Sequence, residues 1–257
     1  MRIALIGYGK MGMMIEQIAK VQGHTIDVIV DPFATNPPAG MMISKNIRET
    51  DFDLINAAIE FTRPDTAVSN ILALAERKIP TIVGTTGWHD SMGKVRGAIE
   101  EAGSSLFWAS NFSIGVNMFF QIAWHAAKLV NMFPEYDAAG FETHHNKKMD
   151  SPSGTAKILA EGVLSIIDRK KKIVWETMNR KPEPDELHFP SLRMGSVPGT
   201  HSLFFDSPAD TIEITHTARS REGFASGAVR AAEWLVSEKR TGVFTISDMM
   251  IDLFKTN

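Results

Sequence analysis

Residues 1–12 read Met-Arg-Ile-Ala-Leu-Ile-Gly-Tyr-Gly-Lys-Met-Gly, and apolar residues then recur at helical spacing as far as Ala19. The apolar run before Gly7 predicts a short buried strand, and the stripe after Gly12 predicts a helix. In this setting, Gly7 permits the tight turn, Gly9 lets a pyrophosphate approach the backbone, and Gly12 lets helix and strand pack closely. The segment therefore predicts the first βα unit of a dinucleotide-binding sheet.

A second apolar strand, predicted over residues 26–30, ends in Asp31. A carboxylate at this position accepts hydrogen bonds from the ribose hydroxyls of a dinucleotide. The glycine pattern alone is weak, because a plain turn followed by an incidental Asp gives the same letters. Strand, helix, second strand and acid together make it strong. The expected cofactor-binding residues of this unit are Gly7, Gly9, Lys10, Met11, Gly12 and Asp31.

Strands and helices continue to alternate along the first half of the chain. The predicted strands are residues 54–59, 81–83 and 106–109, and the predicted helices are residues 64–77 and 92–102. Regular alternation predicts an α/β fold with a Rossmann-type, doubly wound parallel sheet. We expect this dinucleotide-binding domain to comprise residues 1–114 and 222–257, with an amphipathic helix over 224–236 and a closing segment over 244–254.

Three polar loops follow predicted strands at the edge where such sheets bind ligands. The first is residues 61–64, the second residues 84–87 and the third residues 111–115. Threonines in the second loop are suited to donate to a carboxamide or phosphate, and an aromatic ring in the third is suited to lie against a nicotinamide. Each loop alone is more often a plain turn, but their shared position favours a cofactor role. The expected contacts are Phe61, Gly84, Thr85, Thr86, Asn111 and Phe112.

The region 115–221 lacks this regular alternation and predicts a smaller α+β domain with a mixed sheet, for substrate binding and oligomerisation. Its predicted helices are residues 116–130 and about 155–168, and its predicted strands are residues 137–142, 203–205 and 211–216. Residues 176–202 are polar and rich in proline, yet their apolar residues favour a folded excursion over a linker. The lysines at 170–172 predict a solvated helix end.

Residues 142–156 read Glu-Thr-His-His-Asn-Lys-Lys-Met-Asp-Ser-Pro-Ser-Gly-Thr-Ala. Proton donors, cations and the start of a helix converge here, and the free N–H groups of a helix start suit a carboxylate or phosphate. An ordinary surface helix capped by Ser153, with solvated lysines, is the alternative. The coincidence of these features in a chain with a cofactor pattern favours an anion-binding catalytic loop.

Composition excludes several classes of protein. The 257 residues are 44% hydrophobic and 22% charged, with a formal net charge of −3 and no cysteine. Disulfides, thiolate zinc sites and cysteine nucleophiles are therefore excluded, and no basic footprint for nucleic acid is present. Neither a leader segment nor an apolar run of membrane-spanning length is evident, which favours a cytoplasmic protein. No separate cluster of metal-ligand spacing stands out, and we expect no metal.

Taken together, these motifs resemble the dihydrodipicolinate reductase family over nearly the whole chain. The resemblance rests on residues 7–12, 61–64, 84–87, 111–117 and, most specifically, 142–156. It implies an NADH- or NADPH-dependent oxidoreductase that reduces a cyclic dicarboxylate, 4-hydroxy-tetrahydrodipicolinate, through dihydrodipicolinate to tetrahydrodipicolinate on the diaminopimelate route to lysine. It also implies a homotetramer joined through the sheet of the second domain.

The same resemblance assigns roles to residues of the loop. His144 matches the catalytic histidine and Lys148 the proposed proton donor, which supply a proton as hydride reaches C4 of the substrate. The groups that match the carboxylate clamp are His145, Ser153, Gly154 and Thr155. Arg221 is a further candidate cation for the site, with a surface role as its alternative.

One departure from the family pattern concerns the cofactor. Family members that favour NADPH commonly place an arginine after the acid, whereas here Asp31 is followed by Pro32. A carboxylate repels the 2′-phosphate unless a cation compensates, and Lys10 is the one nearby candidate in the sequence. We therefore expect NADH to be used at least as well as NADPH. The alternatives to this family are a dehydrogenase of the aspartate or homoserine type and a non-catalytic dinucleotide sensor.

Overall fold

The computed structural model describes residues 1–34 and 41–255, which form two units. Unit 1 comprises Met1–Ser113 and Glu222–Asn257, and unit 2 comprises Ile114–Arg221. The first of these bounds lies one residue before the boundary expected after residue 114, and the second lies after residue 221 as expected. Within the described residues, no helix is both long and apolar enough to cross a membrane.

The described chain forms strands and helices in the following order. The strands are β1 (Arg2–Ile6), β2 (Thr25–Val30), β3 (Met42–Ser44), β4 (Ala57–Glu60), β5 (Thr81–Val83), β6 (Ser105–Trp108), β7 (Asp137–His144), β8 (Lys172–Val174), β9 (Glu186–His188), β10 (Ser191–Arg193), β11 (Thr200–Asp206), β12 (Thr211–Thr217) and β13 (Gly242–Thr245). The α-helices are α1 (Lys10–Val21), α2 (Pro64–Ala75), α3 (Met92–Ala102), α4 (Ile114–Asn131), α5 (Gly154–Ile166), α6 (Glu222–Ser237) and α7 (Ile246–Lys255).

Unit 1 contains a parallel sheet in the order β3-β2-β1-β4-β5-β6-β13. The predicted doubly wound sheet is confirmed. The chain runs outward from β1 to β3 on one side and from β4 to β6 on the other, so the switch in direction lies between β1 and β4. Ligands of such sheets bind beyond the carboxyl ends of the strands at this switch.

Two strands of this sheet were not predicted, and one was placed too early. Strands β3 and β13 are short edge strands with intermediate or exposed residues, so they lack the apolar periodicity that predicts a strand. The strand predicted over 54–59 is Ala57–Glu60, and Leu54 before it is 63% exposed. Strand β3 is defined by its pairing with β2, β13 by its pairing with β6, and β4 by its pairing with β1. Local sequence does not encode these pairings.

Helix α6 packs within unit 1 against α1 and the strands β4, β5 and β6. At Gly227 a Cβ atom would lie 1.8 Å from the carbonyl oxygen of Phe112. Only glycine fits this approach. The close contact fastens the loop after β6 to the helix that returns from the second unit.

Unit 2 is built on a mixed sheet in the order β12-β11-β7-β9-β8, with β10 also paired to β7. Strands β7, β11 and β12 are antiparallel, whereas β8, β9 and β10 pair in parallel. The hydrophobic core of this unit includes Phe119 of α4, Leu159 of α5 and Phe205 of β11. The predicted mixed sheet is confirmed, and the polar region 176–202 contributes β9 and β10.

The lysines at 170–172 do not form a solvated helix end, so this prediction was wrong. Helix α5 ends at Ile166, and Lys170 is only 3% exposed. Its ammonium group donates to the carbonyl oxygens of Pro184 at 3.1 Å and Glu186 at 2.7 Å. Those acceptors lie more than ten residues further along the chain. The local run of lysines therefore could not show that the Lys170 ammonium group is buried.

Glu60, the last residue of β4, provides a pH-dependent stability prediction. Burial raises the pKa of its carboxyl group, and hydrogen bonds from Thr62, Thr85 and Asn70 offset this only in part. The folded chain then holds a proton that the unfolded chain releases near pH 4.3, so stability declines as pH rises through the folded pKa. In a scan from about pH 5 to pH 8, the Tm of Glu60→Gln should therefore rise relative to that of the unsubstituted protein.

Differential scanning calorimetry across this range checks the prediction. Glu100→Gln, at an exposed site on α3, is the matched control and should show no such trend. A Tm difference for Glu60→Gln that stays constant with pH would contradict the argument.

Candidate active site

A cavity of about 420 Å³ in unit 1 is lined by the glycine loop, Asp31 and Phe61. Gly7 has a φ of 92°, and a Cβ there would lie 2.3 Å from the carbonyl oxygen of Phe61. At Gly12 a Cβ would lie 2.4 Å from the carbonyl oxygen of Gly7, whereas at Gly9 it would meet nothing within 4 Å. The outer glycines therefore close the loop, and Gly9 leaves open space beside it. That a pyrophosphate occupies this space stays a prediction. Lys10 and Met11 begin α1 beside this space.

The carboxylate of Asp31 is oriented by backbone donors. Its Oδ2 accepts from the N–H of Tyr8 and its Oδ1 from the N–H of Phe33, each at 2.7 Å. A carboxylate oxygen can accept more than one hydrogen bond, so both oxygens remain able to accept from ribose hydroxyls. Asp31 is thus fixed to the glycine loop through the Tyr8 N–H, and its contact with a ribose stays a prediction.

The described cations that line this cavity are Lys45 and Arg63, and Lys10 is not among its lining residues. Lys45 directly follows β3, whose Ser44 carbonyl accepts from the N–H of Asp31 at 3.0 Å. The sequence-based view that Lys10 was the only nearby cation is therefore wrong. Lys45 was missed because β3 was not predicted, and its pairing with β2 brings Lys45 to the cavity.

The expected contacts in the second loop are partly used within the protein itself. A Cβ at Gly84 would lie 2.0 Å from the ring of Phe61, so this glycine makes room for a side chain. The hydroxyl oxygen of Thr85 accepts from the N–H of Thr62 at 2.8 Å and braces two strand ends. Thr86 is exposed and stays a candidate for ligand contact.

The expectation that the Phe112 ring lies against a nicotinamide does not fit the structure. Phe112 is 2% exposed, and its ring centroid lies 6.0 Å from that of Phe61 and 5.9 Å from that of Phe107. Its ring is part of the core and packs between the rings of Phe61 and Phe107. Asn111 accepts from the N–H of Ser113 at 2.9 Å, which shapes the turn beyond β6.

In unit 2, strand β7 runs to His144, two residues beyond its predicted end. Glu142 and His144 therefore lie on the same face of this strand. Glu142 pairs directly with His201 on β11 and with Ser191 on β10. Helix α5 then begins at Gly154, and its N-cap Ser153 accepts from the N–H of Ala156 at 3.1 Å.

The carboxylate of Glu142 is fully buried at the centre of this arrangement. Its Oε1 accepts from the Ser153 N–H at 2.9 Å and the Ser191 hydroxyl at 2.7 Å, and lies 3.1 Å from a guanidinium nitrogen of Arg193. Its Oε2 lies 3.1 Å from Nδ1 of His144 and 3.5 Å from Nε2 of His201.

These contacts determine the charge state of Glu142. Burial acts to raise the pKa of its carboxyl group, but contacts with His144, His201, Ser153 and Ser191 outweigh burial and hold this pKa far below its usual range. Burial lowers the pKa of His201, against the attraction of Glu142. The cluster therefore contains a carboxylate balanced by the Arg193 guanidinium.

Sequence reasoning missed Glu142, Ser191, Arg193 and His201 as members of the site. The spacing of Glu142 and His144 was the available signal, since residues two apart on a strand share a face. His201 and Arg193 are distant in sequence, and only strand pairing brings them to Glu142.

Glu142, His144 and His201 also offer metal-ligand atoms within 4.8 Å of one another. The Arg193 guanidinium already contacts the same carboxylate, and its positive charge opposes a metal ion there. We therefore interpret the group as a hydrogen-bonding cluster. The absence of a functional metal stays a prediction.

The proposed proton donor Lys148 is anchored to the same cluster. Its ammonium nitrogen lies 2.7 Å and 2.9 Å from the two carboxylate oxygens of Asp150, and this contact lowers the pKa of Asp150. The carbonyl oxygen of Asp150 accepts from Arg193 at 2.7 Å, and Arg193 contacts Glu142. His144, Lys148 and Ser153 are thus connected through Glu142.

The remaining expected site residues lie around the helix start or at the end of the unit. His145 is half-buried beside the loop, and a Cβ at Gly154 would meet nothing within 4 Å. Thr155 follows in the first turn of α5. Arg221 is exposed at the last position of unit 2, and its role stays a prediction.

Comparison with known proteins identifies the family. The family model described as the N-terminus of dihydrodipicolinate reductase matches residues 1–112, and that described as its C-terminus matches residues 115–250. The chain belongs to the dihydrodipicolinate reductase family. It is therefore an NAD(P)H-dependent oxidoreductase of the diaminopimelate and lysine route, and its N-terminal family region is the nucleotide-binding domain.

Relatives of similar length support this membership in the dihydrodipicolinate reductase family. A 4-hydroxy-tetrahydrodipicolinate reductase from Christiangramia forsetii is 41% identical over 255 residues, covering 99% of this chain and 100% of the relative. One from Archaeoglobus fulgidus is 34% identical over 265 residues, covering 97% and 100% respectively.

Solved structures show the same fold. A dipicolinate-bound dihydrodipicolinate reductase from Paenisporosarcina sp. TG-14 aligns with a TM-score of 0.77 at 17% identity, covering 95% of this chain and 97% of that one. An aspartate dehydrogenase from Thermotoga maritima aligns with a TM-score of 0.52 at 11% identity, covering 94% and 99%. The rival dehydrogenase class therefore shares the fold, whereas the family matches distinguish the two.

Proposed function

We propose that the chain reduces 4-hydroxy-tetrahydrodipicolinate, by way of dihydrodipicolinate, to tetrahydrodipicolinate. The observation that carries this proposal is the Glu142-centred cluster, which joins His144, the loop bearing Lys148 and the start of α5. A dianionic substrate needs cations and N–H donors for its carboxylates and a proton donor for the charge that hydride transfer creates. The cluster brings both kinds of group into one short region.

The expected carboxylate clamp consists of His145, Ser153, Gly154 and Thr155. Ser153 is 2% exposed and its N–H already donates to Glu142, so it contributes through the helix start that it caps. Ser153 caps α5 through its side chain, and the first N–H groups of the helix carry the positive end of the helix dipole. The open space beside Gly154 lets a carboxylate approach these backbone groups. Holding the substrate here fixes its orientation, and orientation supplies much of the rate in such reactions.

Protonation is assigned to His144 and Lys148. A bound dihydronicotinamide would supply the hydride for C4 of the conjugated imine, and the resulting negative charge would lie on the ring nitrogen or the adjacent carbon. His144 at the end of β7 and the Lys148 ammonium are the groups that provide a proton to that charge. Asp150 holds the ammonium of Lys148 in place before the substrate arrives.

Enzymatically generated substrate, with NADH oxidation as the readout, tests this function. Activity with this substrate and none with aspartate semialdehyde or oxaloacetate is the expected result. Turnover of a control compound alone would favour an aspartate or homoserine dehydrogenase type. Tight NADH binding without any turnover would favour a non-catalytic dinucleotide sensor.

The cofactor prediction is that kcat/KM with NADH at least equals that with NADPH. Asp31 repels a 2′-phosphate, while Lys45 in the same cavity offsets part of this repulsion. Lys45→Ala should therefore lower kcat/KM for NADPH by about 3- to 5-fold, the effect of one exposed ion pair, and leave NADH unaffected. Steady-state kinetics with both cofactors check both statements.

Lys94→Ala, an exposed lysine on α3 that does not line the cavity, is the matched control and should change neither cofactor. A strong NADPH preference in the unsubstituted protein would reject the cofactor prediction. An equal loss with both cofactors in Lys45→Ala would reject the role of Lys45.

We also propose a homotetramer and a cytoplasmic location, both from family membership. Light scattering coupled to size-exclusion chromatography tests the assembly, and fractionation of the source cells tests the location. A monomer at assay concentration would remove the tetramer from the proposal.

A further inference from the structure

A polar row crosses the mixed sheet of unit 2 behind the proposed proton donor. Ser191, Glu142, His201 and His216 occupy directly paired positions on β10, β7, β11 and β12. Glu142 and His201 are 0% and 4% exposed. A buried carboxylate is costly unless it is well bonded, so its position in the centre of a sheet calls for an explanation beyond packing.

The two oxygens of Glu142 are used differently. Oε1 accepts from Ser153 and Ser191 and contacts Arg193, whereas Oε2 and the Nδ1 of His144 are buried atoms with no aligned hydrogen bond. These two atoms lie 3.1 Å apart. A catalytic hydrogen bond is often poorly aligned without substrate and tightens when substrate binds.

The imidazole of His144 is also confined from the opposite side. Its Nε2 lies 2.8 Å from the place where a Cβ of residue 199 would be, and that residue is a glycine with a φ of 154°. Its ring meets that of His201 edge to face, with centroids 5.2 Å apart. The ring therefore has Nδ1 toward Glu142 and Nε2 toward the backbone of Gly199.

We propose that Glu142 is a positioning residue for the reduction: its carboxylate accepts from Nδ1–H of His144 and so makes Nε2 the nitrogen that carries the transferable proton. This inference rests on the proposed catalytic role of His144. Which ring nitrogen bears the proton is determined by the hydrogen bond that the other nitrogen makes.

The same carboxylate fastens both ends of the segment 145–152. The segment leaves β7 beside His144 and returns at Ser153, whose N–H donates to Oε1. Arg193 joins Glu142 to the carbonyl oxygen of Asp150, the residue that holds Lys148. Loss of the charge on Glu142 is therefore expected to disturb both proton donors together.

Glu142→Gln keeps the size of the side chain and removes its charge. We expect kcat to fall by about 10- to 100-fold, the usual effect of removing a group that orients a reactive side chain, with KM for NADH unchanged. In nitrogen NMR spectra at high pH, where imidazoles are neutral, His144 should carry its proton on Nδ1 in the unsubstituted protein. In Glu142→Gln this tautomer should lose its dominance.

Glu186→Gln is the matched control, because Glu186 is another buried carboxylate of unit 2 and is paired with Arg180 at 2.6 Å. It should lower Tm, because it removes a buried charge from an ion pair, while leaving kcat and the His144 tautomer unchanged. Equal losses of kcat in the two variants would reduce Glu142 to a structural role and overturn the proposal.

Glu142→Asp covers the case in which Glu142→Gln does not fold. It retains the negative charge beside Arg193 but moves the carboxylate away from His144. We therefore expect kcat to fall and the Nδ1–H tautomer of His144 to become less populated, with a smaller loss of Tm than in Glu142→Gln. An unchanged tautomer in this variant overturns the proposal. The NMR measurement needs no turnover, so it tests the position of the proton on His144 independently of activity. Failure of the unsubstituted chain to reduce the substrate would reject the proposed function but not the position of that proton.

Discussion

Replacing Lys148 with Ala should lower kcat by about 10²- to 10⁴-fold, the range expected when a general acid is removed. Lys148 is the one lysine of its loop that is held in place, because both oxygens of Asp150 contact its ammonium group and Arg193 binds the Asp150 carbonyl. The substituted residue belongs to unit 2 and the cofactor cavity to unit 1. The Kd for NADH should therefore stay within about twofold of its original value. Single-turnover kinetics measure the rate of substrate reduction, and a fluorescence titration measures the Kd for NADH.

Lys147→Ala is the natural control for this experiment. Lys147 precedes Lys148 in the same loop, has the same charge and is exposed. Its substitution changes the charge of the loop by the same amount, so an electrostatic effect on a dianionic substrate would appear in both variants. A kcat loss confined to Lys148→Ala supports proton donation, whereas equal losses would show that Lys148 contributes only charge.

Gly7→Ala should raise the Kd for NADH by about 10- to 100-fold. Gly7 has a φ of 92°, and an added Cβ would lie 2.3 Å from the carbonyl oxygen of Phe61. A side chain at positive φ costs roughly 1–2 kcal/mol, and this clash with backbone forces the loops after β1 and β4 apart. The displacement moves two walls of the cofactor cavity, so binding should suffer more than folding.

Gly97→Ala separates this effect from a general response to removing a glycine. Gly97 lies inside α3, and a Cβ there meets nothing within 4 Å, so alanine should stabilise the helix by about 0.5–1 kcal/mol. The Kd for NADH should not change in that variant. If Gly7→Ala binds NADH as well as Gly97→Ala does, the tight turn at Gly7 is not required for the cofactor.

The central strands and helices of unit 1 were predictable because their signals are local. Helix α3 was predicted with its observed bounds, Met92–Ala102, as was β5 at Thr81–Val83. Buried strands and amphipathic helices differ in apolar period, and glycine has steric properties that no other residue shares. The edge strands β3 and β13 carry no such period, and with β3 the sequence also failed to reveal Lys45.

The family and its reaction followed from the sequence alone, because the 142–156 segment contains chemically distinctive residues in a fixed order. The same letters suggested His144, Lys148 and the helix start as separate features of one loop. Only the tertiary structure decided how they are connected, through the buried carboxylate of Glu142. It contacts Ser191 and Arg193 of β10 and His201 of β11. The physical reason is that strand pairing brings together residues about fifty positions apart, and no local pattern of the chain records which strands will be neighbours.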